Sequence, residues 1–102
     1  MKAIVRQLVK RNRANGGFFF DDKDMEVTQT ILHDVYGDFL VYSTQDEMAM
    51  EAVRKYRVIE FNREARVAAG GKSRKFDTLE EATEAAAGWA REAMKAAQAA
   101  AE

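Results

Sequence analysis

Thr78-Leu79-Glu80-Glu81-Ala82-Thr83-Glu84-Ala85-Ala86-Ala87-Gly88-Trp89-Ala90 is the stretch that decides the fold. Its Thr-x-x-Glu opening has the spacing of a capping box, in which the Thr oxygen and the Glu carboxylate satisfy each other's orphan amides. Leu79, Ala82, Ala86, Trp89, Ala90, Ala93 and Ala97 then recur at helical spacing as one small-residue stripe anchored by Trp89. The pattern predicts a long helix to about residue 98, with the Ala-rich end, 93–102, fraying. A helix with a single apolar stripe has to bury it against another layer.

The remainder of the chain supplies that layer as strands. Tyr56-Arg57-Val58-Ile59-Glu60-Phe61 reads as a strand, Asn62-Arg63-Glu64-Ala65 turns the chain, and residues 66–76 return with Gly70-Gly71 as a loop or bulge. Thr44-Gln45-Asp46-Glu47 repeats the capping-box spacing and predicts a short helix through Met48 and Val53. Tyr36-Gly37-Asp38 predicts the turn of a hairpin, residues 28–35 against 38–43, although Val27, Ile31 and Val35 also fit a helix. Phe18-Phe19-Phe20 reads as a short strand buried on both faces, because adjacent side chains of a pleat point to opposite sides. Asp21-Asp22-Lys23-Asp24 reads as a turn, with Met25 returning to the core.

Ile4, Val5, Leu8 and Val9 fall on one stripe and predict a helix over 2–13, with a strand as the alternative, and Asn15-Gly16-Gly17 stops it. Together these elements predict one α+β domain over 1–102. Its antiparallel sheet of four to five strands packs on the long C-terminal helix and one or two short helices.

Composition bounds the chemistry. The 102 residues are 47% hydrophobic, with six Phe, three Tyr and one Trp, enough for one unaided core. The absence of cysteine excludes disulfides and thiolate metal sites. No apolar run reaches the length of a signal peptide or a membrane span, so a soluble cytoplasmic protein is expected. The net charge of −1 conceals segregation. Residues 1–15 carry five basic side chains and no acid, and residues 16–51 carry nine acids against Lys23 alone. Residues 52–75 carry eight basic and two acidic groups, and residues 76–102 carry two basic and six acidic. Such blocks suit charged partners.

No motif carries catalysis. Gly70-Gly71-Lys72-Ser73 resembles the end of a phosphate-binding loop, but that loop needs a Gly where Arg66 stands. A calcium loop counted from Asp22 needs Gly and Glu where Val27 and His33 stand. His33 is the lone histidine, and on a regular strand it points away from neighbouring Asp34, as a surface side chain. Neither Ser43 nor Ser73 sits in a nucleophile motif. A non-enzymatic protein without cofactor or metal is therefore expected.

Binding is what remains. Asp21, Asp22, Asp24, Glu26, Asp46, Glu47 and Glu51 form the candidate acidic face, fit to imitate phosphates and occupy a basic channel. Arg6, Lys10, Arg11, Arg54, Arg57 and Arg74 are the alternative, a nucleic-acid-binding set. The pI of 5.9 argues against the second, since nucleic-acid domains usually exceed about 9. The Ala-rich stripe supports a third option, self-association as a homo-oligomer.

Gly17-Phe18-Phe19, Met25, Val35-Tyr36-Gly37, Phe39-x-Val41-x-Ser43, Lys55-Tyr56-Arg57-Val58, Phe61-Asn62 and Phe76-Asp77-Thr78-Leu79-Glu80-Glu81-Ala82 follow one another in an order that resembles small bacteriophage and prophage proteins. The resemblance spans residues 12–90 and rests on turns, core aromatics and the helix cap, so it transfers no catalytic residue. It implies an inhibitor of a host protein or of an antiviral defence complex, anti-CRISPR-like, acting in the host cytoplasm.

Overall fold

Residues 31–76 form a four-stranded antiparallel meander, β1 (Ile31–Tyr36), β2 (Phe39–Asp46), β3 (Val53–Glu60) and β4 (Ser73–Phe76), in that spatial order. Helix α1 (Ala3–Ala14) precedes it, followed by the short α2 (Asp22–Val27), and α3 (Leu79–Ala101) closes the chain. The computed structural model describes residues 1–17, 20–46 and 53–101, with Asp46 given by its backbone alone.

Alternation along the strands splits the apolar side chains between two cores. Phe39, Val41 and Val58 face α3 and pack with Ala82 and Ala86, while Tyr36, Tyr56, Phe76 and Trp89 close the rim. Leu32, Leu40 and Phe61 face the other way, against Val5 and Leu8 of α1 and against Phe20 and Ala65. The sheet is thus sandwiched, and each helix buries one stripe. Trp89 lies tilted against Phe39 and Phe76 at 5.6 and 6.5 Å between ring centroids. Phe20 stacks on Phe61 at 5.7 Å. All three spacings lie in the favourable range for aromatic pairs.

The α3 cap forms in one half of the expected box: the Thr78 hydroxyl oxygen accepts the Glu81 amide at 3.1 Å, while the Glu81 carboxylate accepts the Thr78 hydroxyl at 3.2 Å rather than the Thr78 amide. The buried stripe ends at Ala90, because there the helix passes the sheet. A Cβ placed on Gly37, in the β1–β2 turn, would lie 3.3 Å from the Ala90 Cβ. Gly37 itself has φ +58°, which suits the first position of a two-residue hairpin turn. Beyond that contact every described residue from Arg91 is exposed, Ala93 and Ala97 included.

Several expectations need correction. The predicted hairpin forms, but Asp21-Asp22-Lys23-Asp24 is not a turn: Asp21 caps α2, its carboxylate accepting the amides of Lys23 and Asp24. Asp22 and Asp24 then favour the positive end of that helix. Met25 does return to the core. Phe20 lies in a turn rather than a strand, and Phe18 and Phe19 lie outside the described residues. Thr44 opens no helix. It pairs with Lys55 inside the β2–β3 ladder, which continues to Asp46 opposite Val53. Its hydroxyl oxygen accepts from Arg57 Nε at 3.2 Å instead of capping a helix. Glu47, Met48 and Glu51 lie outside the described residues. No helix among the described residues is long and apolar enough to cross a membrane.

Candidate functional site

Of the acidic candidates, Asp24 and Glu26 lie on α2, whose C-terminal end meets the end of β2. The Gln45 amide donates to the Thr28 carbonyl at 2.9 Å, extending the β2 ladder past β1 and fixing the C-terminal end of α2 beside the end of β2. Glu26 and Asp24 are exposed on that helix and make no side-chain hydrogen bond or ion pair among the described residues. Asp22 differs, since Arg13 binds it at 2.6 Å and ties α2 to α1. Asp21 is occupied by its cap. Asp46 ends β2 at the same end of the molecule, and Glu47 and Glu51 lie outside the described residues. Val27 (63%) and Ile31 (47%) are exposed at this end, whereas Val53 (39%), opposite Asp46, is exposed on the other face of the sheet from Ile31. Exposed apolar side chains accompanied by carboxylates are a combination that protein contact surfaces use.

Behind this end lies a polar brace that no local sequence signal announces. A β-bulge falls between Leu32 and Asp34, so alternation breaks at His33. His33 Nε2 meets Ser43 Oγ at 2.8 Å, and Asp34 stands opposite Val41, so the bulge turns both toward the α3 side. The expectation of opposite faces, with His33 at the surface, is corrected: His33 is half-buried and rests against the Tyr56 ring at 5.8 Å. Arg54 Nη1 donates to the same Ser43 oxygen at 2.9 Å and to the Gln29 carbonyl at 3.0 Å. Burial, and then the Arg54 charge, push the His33 pKa below its ordinary value. Ser43 is 0% exposed and bridged on both sides, so this Ser–His contact works as a structural link. It braces Gln29, held at φ +49°, in the turn between α2 and β1.

The six nominated basic residues do not converge. Arg6 donates to the Met1 carbonyl at 3.1 Å. Lys10 and Arg11 border a cleft of about 390 Å³ whose lining includes Leu8, Val35 and Phe61. Arg57 stands opposite Tyr42 on the α1 side of the sheet. Arg74 stands opposite Val58 on the α3 side, its guanidinium 5.3 Å from the Phe76 ring centroid. Arg54 serves the brace. Among the described residues, no three His, Cys, Asp or Glu side chains cluster closely enough to hold a metal ion.

Comparison with protein-family models, with curated proteins and with solved structures finds no match to this chain.

Proposed function

We propose that this protein is a non-enzymatic interaction module that blocks a basic surface on a partner protein, as a phage-type inhibitor of a host factor or antiviral defence complex does. The observation that carries the reading is the bond between Gln45 and Thr28, which holds α2, with Asp24, Glu26 and exposed Val27, at the end of the sheet where Ile31 is exposed. Asp24 and Glu26 repeat negative charge on a rigid, capped helix, so they reach a cationic channel without first releasing an internal partner. Exposed Val27 and Ile31 add the apolar contact that charge alone lacks. The host cytoplasm is the compartment this function requires.

The test is capture from host lysate with wild type and with the double variant Asp24→Lys, Glu26→Lys. Wild type should retain one saturable protein partner, weakened by salt, and displace nucleic acid from it. The variant should lose at least about tenfold in affinity at unchanged melting temperature. Equal capture by both proteins, or no saturable partner for folded wild type, overturns the proposal.

A further inference from the structure

The basic side chains of the β3–β4 hairpin sort by face in a way their sequence order conceals. Arg57 stands directly opposite Lys75 on the side of the sheet turned away from α3. Lys55 lies two residues along β3 on the same side, about 7 Å away by strand geometry. Cross-strand neighbours approach to about 5 Å, where like charges oppose each other. Lys55 is compensated by Asp77 at 2.6 Å. Arg57 and Lys75 have no carboxylate within ion-pair distance among the described residues; Arg57 donates to the neutral Thr44 hydroxyl and stands opposite Tyr42, whose phenol feels its charge. Among the described residues these two adjacent cations thus lack a carboxylate partner, and like charges so close repel each other.

This face is open at its β4 edge, where Lys75 is exposed and Arg57 half-buried, while Phe20, Met25 and Ala65 pack with Leu40, Tyr42 and Ile59 farther across it. Helix α1 lies over β1, at the far side of the sheet, while Ser73 and Lys75 on the edge strand β4 are exposed. Neither the cleft beside Lys10 and Arg11 nor the one between Arg13 and Asp22 reaches it. A small anion would therefore be held without enclosure, whereas a chain of repeated charges can lie across the flat surface and touch several cations in turn. A duplex groove needs an inserted helix or ribbon, and among the described residues none projects from the β3–β4 part of this face.

We infer that the face binds the phosphodiester backbone of a single-stranded nucleic acid, with Arg57 and Lys75 as contact cations and Lys55 restrained by Asp77. It is a second surface, distinct from the α2 end, and it replaces the scattered six-residue set with one local group.

Fluorescence anisotropy of a labelled short oligothymidine, titrated from about 50 to 200 mM salt, tests it. Two phosphate contacts give a slope of log affinity against log salt of about −1.4. Lys75→Glu should weaken binding at least about fivefold, while Arg74→Glu, on the same strand but the opposite face, leaves it unchanged. Asp77→Asn frees Lys55 and should strengthen binding, steepening the slope to about −2. Circular dichroism on each variant confirms the fold. No binding by wild type at the lower salt overturns the inference, as does equal loss in Arg74→Glu and Lys75→Glu. Equally tight binding of a duplex, or equal displacement by polyglutamate, also overturns it. The α2 variants of the previous section leave this site intact, so either proposal can fail alone.

Discussion

Replacing Arg54 by Met keeps the aliphatic stem and removes two hydrogen bonds, at 2.9 Å to Ser43 Oγ and 3.0 Å to the Gln29 carbonyl. A hydrogen bond from a charged group contributes about 1.5–3 kcal/mol. The Ser43 bond counts in full because that side chain is wholly buried, whereas the Gln29 carbonyl, at the edge, is partly rehydrated. The expected loss is about 2–3 kcal/mol, or roughly 8–20 °C in melting temperature for a domain of this size. Urea unfolding and calorimetry measure it. A second readout separates this mechanism from general destabilisation. Burial, then the Arg54 charge, hold the His33 pKa below its ordinary 6.5. The folded state thus favours neutral imidazole. That contribution is complete above 6.5 and is lost as pH falls through 6.5 toward the folded value. In Arg54→Met the His33 pKa should rise, measured by NMR titration of the imidazole, and acid sensitivity over that window should shrink. The Gln45 amide, bonded to Thr28, should exchange faster as the turn loosens. A stability change under about 0.5 kcal/mol with an unmoved His33 pKa would refute the brace.

Two further substitutions test the cores and the cap. Phe61→Ala removes the ring stacked on Phe20 and should cost about 3–5 kcal/mol in urea unfolding, whereas a surface residue costs under about 0.5. Thr78→Ala should cost about 1 kcal/mol, and Thr78→Ser should recover most of it, because the hydroxyl oxygen that accepts the Glu81 amide is retained.

The parts of the fold legible in the sequence are those whose hydrogen bonds close locally. The α3 cap spans three residues, α1 repeats its apolar stripe within two turns, and the Tyr36–Asp38 turn announces its hairpin. Thr44-x-x-Glu47 shows the limit. The same four-residue signal was available to a helix and to a ladder, and the ladder took Thr44 through its pairing with Lys55 and its bond from Arg57. At Asp21 the opposite occurred. A run of carboxylates that suits a turn also supplies a cap and favourable helix-dipole charges, so a short helix formed there.

The candidate site was half legible for the same reason. Its carboxylates stand close in sequence, so the sequence names them as a group. Val27, Ile31 and Val53 each look like core residues, and only the packing leaves them exposed, Ile31 and Val53 on opposite faces of the sheet. The brace joins positions 29, 33, 43 and 54 through a bulge whose one-residue shift no periodicity encodes.

By itself, then, the sequence determined the long capped helix, the hairpin beside it, the lack of thiol chemistry and the division of charge into blocks. Tertiary structure decided which charges share a face. Along a strand, alternation sends Arg54 and Lys55 to opposite sides, and across the ladder register brings Arg57 to Lys75 from 18 residues away. Neighbourhood on a sheet is set by pairing between distant strands, a cooperative property of the whole core rather than of any segment.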